Sequence, residues 1–302
     1  MSWFWLALAA PILWGAVNHI DKYIISKYFT GKGVGSLVIF TGLSGFIISF
    51  LILVFNFSSI FLSPVTALVI AINGAILVAA FIPYLYALEK EEASWVSPLY
   101  QLIPVFGYFL GMIFLKEYLS LNQIIGSILI IVGAFALSLN ITSKLQFKIR
   151  PFLLMVLSSF MIAVNALIFK IIALQENFWG TAFWEYLGGF IFAIFLFTSV
   201  SLYHKQFLAT IEKSQGLVLS LNIFSELMNI VAKLLAGFAS LLAPLALVWV
   251  VNGFQPVIVL IYGIILTLFI PKWGKENLDR KFLTQKIVAI LITFLGAYIL
   301  FS

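Results

Sequence analysis

Long apolar runs separated by short polar breaks make up almost the whole chain. A helix that spans a membrane needs about 20 mostly apolar residues. Ten such runs are predicted, at residues 3–28, 34–55, 64–88, 94–116, 119–139, 151–173, 178–202, 215–237, 240–270 and 281–301. The connections between them are too short to hold a soluble domain. The pattern therefore predicts an all-α membrane protein with ten transmembrane helices.

Composition supports this interpretation. The 302 residues are 63% hydrophobic and only 9% charged, whereas a soluble domain carries about 25% charged residues. We expect a multi-pass protein of a bacterial or archaeal plasma membrane. The apolar N-terminus is interpreted as a first spanning helix and not as a signal peptide, because no Lys or Arg precedes it and Pro11 and Trp14 continue the pattern.

Short sequence matches recur in the same order in the two halves of the chain. The matching segments are 16–18 with 163–165, 93–99 with 239–245, 104–105 with 256–257, and 133–134 with 296–297. We expect one five-helix repeat at 1–139, a linker at 140–150 and a second repeat at 151–302. Because five is odd, the second repeat would enter the membrane with the opposite orientation. Two inverted repeats around a central cavity are common among secondary transporters.

The end of the first half carries a more specific pattern. Pro104-Val105 is followed by Leu115-Lys116-Glu117, then Leu121-Asn122-Gln123, Gly126 and the aliphatic stretch 130–134. In this the chain resembles the EamA-type, ten-helix members of the drug/metabolite transporter superfamily. The second half departs from the pattern at the acid, because the position that matches Glu117 falls near Phe269.

The resemblance implies a transporter but not a particular solute, since related proteins are reported to move amino acids, sugars, nucleotide conjugates, choline and cationic drugs. We expect a secondary active transporter that moves a small polar or zwitterionic metabolite by alternating access, coupled to protons or by exchange. The alternative on the same fold is a translocase of lipid or polyprenyl-phosphate head groups. No catalytic motif is found, so we expect no enzyme activity.

The eighth predicted helix carries the strongest candidate site. Asn222, Glu226, Asn229 and Lys233 follow one another at spacings of three and four residues, which places them on one face of a helix. Ionisable groups inside a bilayer normally face a cavity and are functional candidates. Glu226 near mid-span is the candidate for exchanging a proton during transport. The competing interpretation is a structural ion pair between Glu226 and a lysine.

The first helix carries a second cluster, formed by Trp14, Asn18, Asp21 and Lys22. The adjacent Asp21 and Lys22 are equally compatible with holding the two ends of a zwitterion and with anchoring the helix near the lipid head groups. Three further groups complete the candidates. Lys170 near the end of the sixth helix is expected to reach the membrane interface, and Glu185 lies in the seventh helix. The remaining polar and aromatic candidates within spans are Asn73, Tyr100, Gln101, Trp249, Asn252 and Gln255.

Charge and residue usage limit cofactors and partners. The chain has a net charge of +6, but its basic residues lie in short connections without forming a stripe, so nucleic-acid binding is not expected. With no cysteine and only two distant histidines, we expect no metal and no cofactor. The expected partners are a small-molecule solute and membrane lipid. Gly107 and Gly111 form a face for close helix packing, within a monomer or in a homodimer.

Orientation is left open between two arguments. All of the 17 Lys and Arg residues except Lys116, Lys170 and Lys233 lie in or beside the odd-numbered connections. The positive-inside rule then puts these connections in the cytoplasm and both termini outside. The family resemblance implies the reverse.

Overall fold

The computed structural model describes residues 2–28, 33–90, 97–138, 149–213, 216–270 and 280–301. These residues are helical apart from short turns, and none of them forms a strand. The helices are α1 (Ser2–Tyr28), α2 (Val34–Phe55), α3 (Pro64–Lys90), α4 (Leu102–Leu110), α5 (Leu121–Ser138), α6 (Ile149–Gln175), α7 (Phe178–Ser199), α8 (Ser201–Lys213), α9 (Gly216–Leu242), α10 (Leu245–Val251), α11 (Gln255–Phe269) and α12 (Arg280–Phe301). Short 3₁₀ turns at Phe57–Ile60, Ser97–Gln101 and Asn252–Phe254 and a π-helical turn at Gly111–Leu115 complete the described elements.

In the described part of the chain, seven helices are long and apolar enough to cross a membrane. They are α1, α2, α3, α6, α7, α9 and the unit formed by α10 and α11. Three further apolar helices are shorter, at Leu99–Leu115, Leu121–Ala136 and Thr284–Leu300. They coincide with the predicted spans 94–116, 119–139 and 281–301. The protein is therefore a multi-pass membrane protein, and the count of ten spans stays a prediction.

The outer surface of the bundle is apolar. Side chains such as Phe55, Phe269 and Tyr298 are largely exposed, at 82%, 77% and 74%. A soluble protein rarely exposes large contiguous apolar patches, because water solvates them poorly. This surface is suited to contact with lipid chains.

The connection predicted at 203–214 is instead the amphipathic helix α8. Its Tyr203 and Phe207 are buried in the cluster that contains Val34 and Val38 of α2. The Gly35 amide donates to Gln206 Oε1 at 2.9 Å. A helix with one polar and one apolar face has a low mean hydropathy, so a search for apolar runs does not detect it.

Two local features end helices where the polar residues lie. α4 continues into the π-helical turn Gly111–Leu115, which ends at Lys116, a left-handed residue with φ of 54°, and the chain then turns back so that Glu117 points into the bundle. α9 and α10 are separated at Ala243-Pro244, where proline has no amide hydrogen for a continuous helix. The predicted span 240–270 is thus divided, and its interior contains a 3₁₀ turn before Pro256.

Helix packing follows a regular scheme. The most extensive pairings are α5 with α12, α1 with α9, α3 with both α6 and α7, and α2 with α7. Glycine allows the closest of these approaches: a Cβ at Gly74 of α3 would lie 1.8 Å from the Glu185 carbonyl oxygen, and one at Gly188 of α7 would lie 1.9 Å from the Ala71 carbonyl oxygen. Gly107, predicted to pack closely, faces Ala246 of α10 with ordinary spacing.

Candidate functional site

The polar face predicted on α9 is formed as a continuous row of half-buried side chains. Asn222, Glu226, Asn229 and Lys233 are each neither fully buried nor fully exposed. Each is separated from the next by about one helical turn, so the row extends about 16 Å along the axis. The row faces α1, α2 and α7, and the contacts below define it residue by residue.

Glu226 is held by groups from α2 and from its own helix. Thr41 Oγ1 donates to Glu226 Oε1 at 3.0 Å, and Ser44 Oγ lies 3.5 Å from Oε2. Asn229 Nδ2 lies 3.4 Å from Oε2. These three donors are neutral. Thr41 and Ser44 were not predicted, although their spacing of three residues in an otherwise apolar helix is a signal that could have identified them.

Trp14 connects α1 to the same row. Its indole Nε1 donates to Asn229 Oδ1 at 2.7 Å. The indole also stacks on Trp249, with ring centroids 6.3 Å apart and an interplanar angle of 13°. Asn18, one turn further along α1, is exposed. The structure thus brings together the predicted clusters of the first and eighth spans.

Lys233 pairs with Glu185 and not with Glu226. Lys233 Nζ lies 2.8 Å from Glu185 Oε2 and 5.1 Å from the centroid of the Tyr186 ring. The alternative of an ion pair between Glu226 and this lysine is therefore wrong. The ion pair joins α9 to α7 and leaves Glu226 at a different level of the row.

Glu185 is almost completely buried, with a side chain only 1% exposed. Asn165 Nδ2 and Asn73 Nδ2 donate to its Oε1 at 2.7 and 3.1 Å. The two asparagines also exchange hydrogen bonds, each amide donating to the other's backbone carbonyl at 3.0 and 3.1 Å. Asn73 of α3, Asn165 of α6 and Glu185 of α7 therefore form one buried polar junction. Asn73 was predicted as one of the polar groups within spans, whereas Asn165 was not among the predicted site residues, although it lies in the repeat match with Asn18.

A second buried ion pair lies apart from this row, between Lys170 of α6 and Glu117. Lys170 Nζ is hydrogen-bonded to Glu117 Oε1 and donates to the Ala243 carbonyl oxygen at 2.6 Å. Glu117 Oε2 accepts from the Leu245 amide at 2.8 Å. The Lys170 side chain is only 4% exposed, so the expectation that it reaches the interface is wrong. The turn after α4 and the break before α10 supply its oxygen ligands.

The remaining predicted residues lie in or beside the 3₁₀ turns before α4 and α11, or have side chains that the structure does not describe. Tyr100 packs on Tyr84 with centroids 5.0 Å apart and shares an apolar cluster with Trp249. Gln101 Oε1 and Asn252 Oδ1 are buried and have no hydrogen-bond partner among the described residues. Gln255 is half-buried at the start of α11. Asp21 and Lys22 lie on α1, but their side chains are outside what the structure describes.

The described part of the chain contains no cluster of side chains that could bind a metal ion. No group of three or more His, Asp or Glu side chains there is arranged to hold an ion. His19, one of the two histidines, bonds through Nε2 to the Val259 carbonyl oxygen at 2.9 Å. The expectation that the protein uses no cofactor stays a prediction.

Comparison with known proteins agrees with this architecture. A solved crystal structure whose title names no function superposes with a TM-score of 0.64 over 99% of this chain and 96% of that chain, at 14% sequence identity. An uncharacterized protein of Methanocaldococcus jannaschii is 40% identical over 96 residues, which are 31% of this chain and 69% of that protein. The EamA-like transporter family matches residues 1–139. On this evidence the chain belongs to the EamA-like transporter family of the drug/metabolite transporter superfamily.

Proposed function

We propose that the protein is a secondary active transporter that moves a small polar or zwitterionic metabolite across the plasma membrane by alternating access. Ten spans would form two inverted five-helix repeats, at 1–139 and 151–302, joined by the linker 140–150. The solute would bind beside the polar row of α9, and Glu226 would couple its movement to a proton or to exchange. The membership of a transporter family supports the general activity.

Repetition in the helix packing supports the proposed inverted repeats. In the proposed repeats, α1 corresponds to α6, α2 to α7, α3 to α9, α4 to the unit of α10 and α11, and α5 to α12. The packing of α1 on α9 then corresponds to the packing of α6 on α3. Likewise, the packing of α4 on α6 corresponds to the packing of α11 on α1. The helices α2 and α5 each pack on their own counterparts, α7 and α12. In both halves a 3₁₀ turn directly precedes the helix that contains Pro104 or Pro256.

One departure from this symmetry supports alternating access. α3 packs tightly on α7 through Gly74 and Gly188, whereas the corresponding pair, α2 and α9, packs much more loosely. Two equivalent interfaces in different states are expected when an inverted-repeat protein is closed towards one side of the membrane and open towards the other. Glu226 lies in the loose interface, where a solute has access to it.

The observation that carries the coupling proposal is the environment of Glu226. Its bonds from Thr41, Ser44 and Asn229 come from neutral donors. A hydroxyl can donate to a carboxylate and accept from a carboxylic acid, so this site is suited to both protonation states. Glu226 would bind a proton in one conformation and release it in the other, because its surroundings change between the two.

Proton flux into proteoliposomes tests the proposal. Vesicles containing the purified protein and an internal pH dye are exposed to defined pools of small polar and zwitterionic metabolites. We expect at least one pool to produce a proton flux, and Glu226→Gln to abolish that flux while solute exchange is kept. Glu212→Gln is the matched control, because Glu212 is exposed on α8 outside the bundle.

Two outcomes would contradict the proposal in different ways. An unchanged proton flux in Glu226→Gln rejects Glu226 as the coupling group. If no pool is transported but fluorescent lipids are moved between leaflets, the head-group translocase is the better description.

A further inference from the structure

Two lysines that pair with carboxylates inside the bundle, Lys170 and Lys233, are held in different ways. Lys170 is 4% exposed and is bonded to a carboxylate and to a backbone carbonyl. Lys233 is 26% exposed and has one carboxylate, from Glu185, as its hydrogen-bond partner. An ammonium group carries three donors. Lys233 therefore has donors and accessible surface for a further ligand, and Lys170 is enclosed.

Glu185 does not depend on Lys233 alone. Asn73 and Asn165 both donate to Oε1, and Lys233 bonds the other oxygen, Oε2. The reciprocal bonds between the two asparagines fix both amides in the donating orientation. Glu185 therefore keeps two hydrogen bonds when Lys233 turns towards another partner.

Tyr186 adds an unused donor beside the lysine. Its ring centroid lies 5.1 Å from Lys233 Nζ. The residue is 8% exposed, and its buried hydroxyl has no hydrogen-bond partner among the described residues. A buried hydroxyl without a partner is costly unless a ligand or water satisfies it.

We propose that Lys233, with the Tyr186 hydroxyl, binds a carboxylate of the transported solute, and that Glu185 is the counter-ion of Lys233 when the site is empty. This inference rests on the proposed transport function and names the solute class. A zwitterion adds no net charge to the row, and its cationic end can pair with Glu226, two turns along the same helix. Glu185, Asn73 and Asn165 act through Lys233 as positioning residues.

Matched ligand pools test the carboxylate. Thermal unfolding of the purified full-length protein is measured with the twenty L-amino acids and with the corresponding amino-acid amides, which keep the amine and side chain but lack the carboxylate. We expect stabilisation by the amino-acid pool and little by the amide pool. Lys233→Gln should lower the apparent affinity for the stabilising amino acid about tenfold to a hundredfold, as the loss of a charge-assisted hydrogen bond implies. Lys205→Gln, on the exposed surface of α8, is the control.

Glu185→Gln separates this role from a merely structural one. Without the competing anion, the solute carboxylate should bind Lys233 more tightly, so the apparent affinity should rise while that of Lys233→Gln falls. A purely structural ion pair predicts weaker binding in both variants.

The outcomes distinguish this inference from the function on which it rests. Equal stabilisation and transport with amino acids and amides, unchanged in Lys233→Gln, would overturn the inference and leave the transporter intact. If neither pool is bound or transported, both the inference and the zwitterion proposal fail.

Discussion

Removing Lys170 tests whether its ion pair with Glu117 holds three segments of the bundle together. The pair joins α6 to the turn after α4, and it continues through the Ala243 carbonyl and the Leu245 amide to the break between α9 and α10. We consider Lys170→Met, which keeps a long apolar side chain but removes the charge. The change leaves Glu117, only 19% exposed, without its cationic partner.

The magnitude follows from what remains around Glu117. Breaking a buried ion pair by removing one partner costs about 3–5 kcal/mol. Here the carboxylate keeps the Leu245 amide as a donor and has some access to solvent, so we expect a loss of about 2–4 kcal/mol in the free energy of unfolding. Glu117→Gln should cost at least as much, because one glutamine oxygen cannot accept from both the Leu245 amide and Lys170, whose side chain is only 4% exposed.

Reversible unfolding in mixed micelles, followed by helical circular dichroism, measures these differences. The double variant Lys170→Met with Glu117→Gln removes both charges and should recover to within about 1 kcal/mol of the parent protein, as for other buried pairs replaced by neutral groups. Lys205→Met on exposed α8 is the control and should have no effect. A loss below about 1 kcal/mol in Lys170→Met, or a double variant as unstable as the sum of the single ones, would refute the reasoning.

Two further predictions concern packing and the aromatic pair. Gly188→Ala places a methyl group against the Ala71 carbonyl and should lower the free energy of unfolding by about 1–3 kcal/mol in the same assay. Gly216→Ala is the control and should have no effect, because a Cβ there meets nothing within 4 Å. Equal effects of the two changes would contradict the close packing of α3 on α7. Trp14→Phe removes the indole donor to Asn229 and should lower the free energy of unfolding by about 1 kcal/mol. Asn229→Ala in the Trp14→Phe background should then add little further loss. Fully additive effects would show that this hydrogen bond does not contribute to stability.

Much of the fold was predictable because lipid imposes simple rules on sequence. Apolar runs of spanning length and the breaks between them located every apolar helix seen in the described residues. α8 was missed, since its apolar residues are confined to one face and leave no continuous run. The division of the predicted span 94–116 into a 3₁₀ turn, α4 and a π-helical turn was also not predictable, because hydropathy does not distinguish these helix types.

The candidate site was predicted in part. Periodicity placed Glu226, Asn229 and Lys233 on one face of α9 because that relation is local to one helix. Their partners lie on other helices, far away in the sequence. Thr41 and Ser44 looked like small residues of an apolar helix, and Asn73 looked like an isolated polar residue until its contact with Asn165 and Glu185 was known.

The sequence by itself determined the class of protein, the position of its helices and the helix face that carries the polar groups. These follow from hydropathy and from the period of the helix, which act over a few turns of one segment. Only the tertiary structure decided that Lys233 pairs with Glu185 and not with Glu226, and that Lys170 is enclosed in an ion pair with Glu117. A buried charge is stabilised by whichever partner the packing brings within hydrogen-bonding distance. That choice depends on how the helices are arranged against one another, which spacing along a single helix does not specify.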